Sequence, residues 1–230
     1  MEIKLSKRTM AILNTFAKIN LNVLIEEGKV IKTINKGKNL ICHAQVEENF
    51  PIEFGVWDLG ELLAAISFFP DPIFNFIDSE EGVCLDISDG KNTSIQYYPC
   101  DRNYLSKPEN EIPPMETLIE FQLTSTEINN LTKAAASMSL EDLVIEIVSD
   151  NKVKVFVSNV RTKSKNRTEP VYSIDIDADI KDGEIGKQIY IDVNELKMYN
   201  CDYTFAVKKN CVEIIGEEGK IQYWISITIK

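Results

Sequence analysis

The chain has 230 residues, 44% of them hydrophobic and 27% charged, with a formal net charge of -11, which suits one large or two modest folded domains. No apolar run approaches the roughly 20 residues that span a bilayer, and Met1-Glu2-Ile3-Lys4 opens no apolar leader, so a cytoplasmic protein is expected. Cys42, Cys84, Cys100, Cys201 and Cys211 are widely spaced and His43 is the one histidine, which argues against a Cys/His zinc site; the cysteines read as core residues and His43 as a surface or satisfied strand residue.

In chain order, an extended run at Ile3-Lys4-Leu5 leads into a helix from Ser6, its N-cap, to Ile19. Helical spacing gathers Met10, Leu13, Phe16 and Ala17 on one side and Lys7, Arg8, Asn14 and Lys18 on the other. Period-two runs then predict strands at 23–25, 30–34, 40–46 and 52–56, with a hairpin turn at Glu26-Glu27-Gly28-Lys29. A second helix starts at Asp58, with Glu61 as capping-box partner, and stops at Pro70. Strands follow at 73–77, 83–87 and 93–98.

A polar segment with prolines at 99, 108, 113 and 114 reads as an extended connector, which places domains at 1–100 and 118–230 with the connector at 101–117. The second half repeats the first. A helix follows Thr124, with Glu127 as its capping partner, and a short fourth helix is expected from Asp192, with Glu195, to about Tyr199. Strands are expected at 143–148, 153–157, 171–176, 188–191, 203–207, 212–215 and 221–229, with a turn at Lys208-Lys209-Asn210 and an apolar-free loop at Arg161 to Thr168.

Catalytic chemistry finds little footing. Asp175-Ile176-Asp177-Ala178-Asp179 begins like a calcium loop, but Ile180 stands where glycine is needed and Gly186 where a glutamate is, so it reads as a strand with one acidic solvated face. Neither a phosphate-cradling P-loop nor a nucleophile elbow is present. A non-enzyme without metal or cofactor is expected, and a net charge of -11 leaves nucleic-acid binding to the local placement of basic residues.

The chain is written twice. Ile3 to Met10 is echoed by Phe121 to Ile128, and Val56-Trp57-Asp58-Leu59-Gly60-Glu61-Leu62 by Tyr190-Ile191-Asp192-Val193-Asn194-Glu195-Leu196. This α+β pattern, strand-helix-strands-helix-strands in duplicate, resembles the sliding clamp family of DNA polymerase processivity factors. Leu5-Ser6-Lys7 with its helix, Asp58 to Leu63, Asp89-Gly90-Lys91 and Asn194-Glu195-Leu196-Lys197-Met198 are most similar to clamps of T-even-type bacteriophages.

The resemblance implies a closed homotrimeric ring with the DNA clamp fold, helices lining a hole that passes duplex DNA without reading its sequence. It also implies an ATP-dependent loader and a tethered DNA polymerase as partners. Lys4, Lys7, Arg8 and Lys18 then become the leading DNA-facing residues, followed by Lys133 and Lys197. Arg161, Lys163, Lys165 and Arg167 form either a fringe DNA contact or a solvated insertion. Partner peptides of such clamps dock in an apolar pocket beside the connector, for which Tyr104, Leu105, Ile112, Pro113, Met115, Ile227 and Ile229 are the candidates. The alternative is a clamp-like interaction hub whose partners are transcription coactivation factors.

Overall fold

The computed structural model describes residues 2–79, 82–108, 112–159 and 172–229. Two compact units divide the chain, Met1–Glu111 and Ile112–Lys230.

The first unit runs β1 (Glu2–Lys4), α1 (Lys7–Ile19), β2 (Val23–Ile25), β3 (Gly28–Ile34), β4 (Leu40–Phe50), β5 (Phe54–Val56), α2 (Leu59–Ser67), β6 (Ile73–Ser79), β7 (Gly82–Ser88) and β8 (Ser94–Tyr97). Its antiparallel pairings are β1-β6-β7-β8, β2-β5 and β3-β4. The core gathers Ile12, Leu13 and Phe16 of α1 with Leu59 and Leu62 of α2. Phe50, Phe54, Phe76 and Phe74 add a chain of tilted and edge-on rings with centroids 5.4 to 6.4 Å apart.

The expected β2–β3 hairpin at residues 26–29 does not form. β2 instead pairs with β5, Val23 opposite Val56 and Ile25 opposite Phe54, while β3 turns to β4. All three β2 residues are buried, so apolar partners on β5 suit them better than the half-exposed start of β3.

The second unit runs β9 (Ile119–Leu123), α3 (Ser125–Met138), β10 (Asp142–Ser149), β11 (Lys152–Ser158), β12 (Tyr172–Ile180), β13 (Gln188–Asp192), β14 (Tyr203–Val207), β15 (Cys211–Gly216), β16 (Ile221–Ser226) and β17 (Thr228–Ile229). These strands form a continuous antiparallel order, β17-β13-β10-β11-β12-β9-β14-β15-β16. β9 pairs with β14 as β1 does with β6, and β10 with β13 as β2 does with β5. The repeat therefore holds at the level of strand pairing. The copies differ in that β10–β11 and β12–β9 ladders join the second unit's strands into one sheet.

The fourth predicted helix shrinks to one 3-10 turn, Val193–Glu195. Asp192 caps it by accepting from the Asn194 N–H at 2.9 Å, but the backbone beyond is taken by tyrosines. The Tyr203 hydroxyl donates to the Tyr199 carbonyl at 2.6 Å, and the Tyr199 N–H donates to the Tyr223 hydroxyl at 2.9 Å. With these groups satisfied by β14 and β16, the segment has no need of helical bonds. The predicted last strand is likewise two: its backbone breaks at Ile227, whose N–H donates to the Asn210 carbonyl at 3.2 Å, and β17 pairs with β13.

The acidic segment is the strand expected, with Asp175, Asp177 and Asp179 exposed along β12. Lys154 and Lys152 on β11 lie 3.9 Å from Asp175 and Asp177 respectively. All five cysteines are free; Cys42 is buried and the others are half-buried. No helix among the described residues is long and apolar enough to cross a membrane.

Candidate nucleic-acid interface and partner groove

α1 is held at its start by its own N-cap and by a residue of β4. The Ser6 side chain accepts from the Thr9 N–H at 3.1 Å. The buried Glu48 carboxylate, reaching in from β4, accepts from the Ser6 N–H and the Thr9 hydroxyl. An acid at this helix end also complements its positive dipole. In α3 the same service is local: Glu127 accepts from the Thr124 N–H at 2.8 Å and donates its own N–H to the Thr124 hydroxyl at 3.3 Å, closing a capping box. For α2 only half the expected box forms, with Asp58 accepting from the Gly60 and Glu61 N–H groups.

The buried stripe of α1 is Thr9, Ile12, Leu13, Thr15, Phe16 and Ile19. Met10 and Ala17, expected in it, are half-buried at its margin. Thr9 is drawn inward by Glu48, and Thr15 satisfies its hydroxyl on the Ala11 carbonyl at 3.0 Å, so two threonines replace them.

Lys7, Asn14 and Lys18 are exposed and lie within about 40° of one another around the helix. Arg8 does not join them. About 100° away from Lys7, it is half-buried and donates to the Gln45 carbonyl on β4 at 2.6 Å. Lys4, on β1, is exposed and pairs with Asp71 at 3.3 Å. Lys4 and Lys7 line a cavity of about 490 Å³ together with Ser6, Met10, Glu47 and Asp71, so their surroundings carry both signs of charge.

Lys133 stands on the exposed side of α3 with Thr126, Asn130 and Ser137, an uncharged polar setting. Lys197 is half-buried on the irregular stretch after the 3-10 turn, not on the helix expected for it. Arg161, Lys163, Lys165 and Arg167 lie outside the described residues.

Of the partner-pocket candidates, Tyr104 and Leu105 belong to the first unit and the rest to the second. Tyr104 is exposed at the end of the 3-10 turn Arg102–Tyr104, and Leu105 is half-buried against Gly55. Within the second unit, Met115 and Ile229 come together in a groove of about 710 Å³, joined by Leu118, Lys187, Lys209 and Asn210. Ile112, Pro113 and Ile227 are near it in sequence but are not among the residues lining it.

The groove rests on a buried cation that the turn reading of 208–210 did not anticipate. Lys208 is 6% exposed, and its ammonium reaches the Met115 carbonyl at 3.1 Å, the Thr117 hydroxyl at 2.6 Å and Glu213 at 3.1 Å. The one signal in the sequence is Glu213, which the hairpin register sets opposite Ala206, next inward on the same face as Lys208. Leu118 is fixed independently, its N–H donating to the Val207 carbonyl at 2.8 Å and its carbonyl accepting from Lys181 and Asp182.

His43 sits on β4 opposite Lys32, half-buried. Burial, reinforced by the Lys32 charge, lowers its pKa to about 4, so it is neutral near pH 7. Among the described residues no group of three or more His, Cys, Asp or Glu side chains is placed to hold a metal ion.

No protein-family profile matches the chain. It is 28% identical over 183 residues to the sliding clamp of Vibrio phage KVP40, spanning 77% of this chain and 81% of that protein. Identity to the sliding clamp of Enterobacteria phage T4 is 23% over 220 residues, or 94% and 93% of the two chains. The sliding clamp of Escherichia phage RB69 is 24% identical over 174 residues, 74% and 73% of the two. In fold the chain is similar to proliferating cellular nuclear antigen from Entamoeba histolytica, with a TM-score of 0.71 at 9% identity over 99% and 98% of the chains. A chain of the PCNA2-PCNA3 complex from Sulfolobus tokodaii gives 0.70 at 10% identity over 99% of each.

Proposed function

The chain belongs to the sliding clamp family, and from that premise we propose that it forms a ring around duplex DNA and tethers a replicative DNA polymerase for processive synthesis. The observation that carries this reading is that identity to the T4 sliding clamp extends over 220 residues and so spans both copies of the repeated fold. Three chains with two clamp units each, joined through a connector at 101–117, would make a ring of six similar modules. An ATP-driven loader opens it, and it works in the host-cell cytoplasm.

Charge supports an enclosure mechanism. A chain of net charge -11 gains little from general attraction to phosphate. A ring needs no tight grip; a few lysines facing the backbone suffice, and weak, sequence-independent contacts leave it free to slide. Lys7 and Lys18 are the leading contacts, since they share one exposed face of α1. Lys4, Lys133 and Lys197 are secondary, and Arg8 is more structural than DNA-facing because it is bonded back to β4. The groove of Met115, Leu118 and Ile229 takes the apolar side chains of a short polymerase peptide. The rival reading, a hub for transcription coactivation, has no observation of its own in its favour.

The test has two parts. Native mass measurement should give three times the 26.1 kDa chain, and the protein should be retained on circular DNA only after loading, then lost when the DNA is linearised. A stable monomer at micromolar concentration with no loader-dependent retention would sink the reading.

A further inference from the structure

We infer that Lys208 is a positioning residue for partner tethering: its buried ammonium joins the segment carrying Met115 to the β14–β15 hairpin carrying Lys209 and Asn210, and thereby sets the width of the groove. The inference rests on the proposal that this groove receives the polymerase peptide. An ammonium has three N–H donors, and those of Lys208 meet three acceptors, the Met115 carbonyl, the Thr117 hydroxyl and the Glu213 carboxylate. Two of the three belong to residues 115–117, a stretch without helix or strand.

Lys209 and Asn210, immediately after Lys208, and Met115, whose carbonyl Lys208 holds, all line the groove. Lys208 is itself anchored to the hairpin, its N–H donating to the Cys211 carbonyl at 2.8 Å. A buried cation costs several kcal/mol unless it is paired and bonded. Glu213 supplies the opposite charge from the adjoining strand, so the ammonium is free to spend its remaining donors on the connector side. No contact of Lys208 with the peptide is required; its effect passes through Met115.

The experiment uses the full chain and the cognate polymerase as probe. Lys208→Met removes the ammonium while keeping its length, and Thr117→Val removes one acceptor without leaving a cation wholly unpaired. In both variants, loader-dependent retention on circular DNA should stay within about twofold of the parent. The polymerase concentration giving half-maximal processive synthesis should rise, about tenfold for Lys208→Met and about threefold for Thr117→Val, with the maximal rate unchanged. Amide hydrogen exchange at residues 115–117 should quicken in parallel, while that of Leu118, held by Val207, stays at the parent value.

Met115→Asp provides the reference, because it blocks the groove directly. If Met115→Asp weakens tethering and Thr117→Val leaves both the half-maximal concentration and the exchange rates at parent values, the role of Lys208 is overturned while the groove reading stands. If Met115→Asp has no effect on tethering, the groove reading falls and the inference falls with it. Should Lys208→Met fail to fold, Thr117→Val alone decides.

Discussion

The carboxylate of Glu48 accepts the backbone N–H of Ser6, joining the C-terminal end of β4 to the N-cap of α1. In the other copy of the fold the equivalent N–H, that of Thr124, is met by Glu127 within its own helix. One structural task, closing the open end of the first helix, is thus done by a strand in one unit and by the helix itself in the other. The long-range version couples the helix carrying Lys7 and Lys18 to the sheet beneath it.

Glu48→Ala should therefore lower the stability of the protein by about 1–3 kcal/mol, because it leaves the half-buried Ser6 N–H and the buried Thr9 hydroxyl without their acceptor. Glu127→Ala, at an exposed box, should cost less, about 0.5–1 kcal/mol. Denaturant unfolding midpoints of the two variants give the comparison, and equal losses would contradict the distinction.

Charge reversal on α1 should divide by position. The double change Lys7→Glu with Lys18→Glu should cut loaded-clamp retention on circular DNA by about tenfold or more at moderate salt, with little change in thermal stability. Arg8→Gln should behave in the opposite way, since its guanidinium holds the Gln45 carbonyl at 2.6 Å. Its expected loss is about 1–2 kcal/mol of folding stability with retention near the parent value.

His43 should make stability fall on mild acidification. Its folded pKa of about 4 lies below the unfolded value of 6.5, so the unfolded chain binds more protons between these pH values and stability rises with pH across that window. The contribution is complete above pH 6.5 and is lost as pH drops toward 4. Allowing for solvent at a half-buried site, about 2 kcal/mol is expected. A His43→Gln variant should show a flatter pH dependence over this range in urea titrations, and an unchanged slope would rule the assignment out.

Gly55→Ala should destabilise the first unit by about 2–3 kcal/mol through overpacking. A Cβ at this position would run into the Cys100 carbonyl oxygen and come within 2.8 Å of a Leu105 methyl, while the Cys100 N–H already donates to the Gly55 carbonyl at 2.9 Å. Backbone on one side leaves little room to yield. A midpoint shift confined to a few tenths of a kcal/mol would show that Cys100 moves aside at low cost.

What was legible in the sequence follows the range of the interaction. Ser6, Asp58 and Thr124 were identifiable as N-caps because a cap and the N–H it satisfies are only two or three residues apart. The strand runs were legible for the same reason, since alternation needs only neighbours. Asp192 carried the same local signal and did start a turn. Its continuation depended on Tyr203 and Tyr223, and nothing near Tyr199 announces that those hydroxyls will claim its backbone. The β2–β5 pairing escaped likewise, because the hairpin signal at Gly28 is local and the preference of Val23 for Val56 is not. For the groove, the family resemblance points to Met115 and Ile229, whereas no signal near Leu118 or Lys208 sets them beside it.

By itself the sequence determined the duplication, the order of elements in each copy, the caps and a polar face of α1 with Lys7, Asn14 and Lys18, from which the bond to Gln45 removes Arg8, since all but that bond depend on spacings set by backbone geometry within a turn or a strand. Only the tertiary structure decided which buried polar groups answer one another. Glu48 meets Ser6 across 42 residues and Lys208 meets Thr117 across 91. Such pairs exist because the fold removes each group from water and only another distant group is there to replace it, a demand that local sequence cannot express.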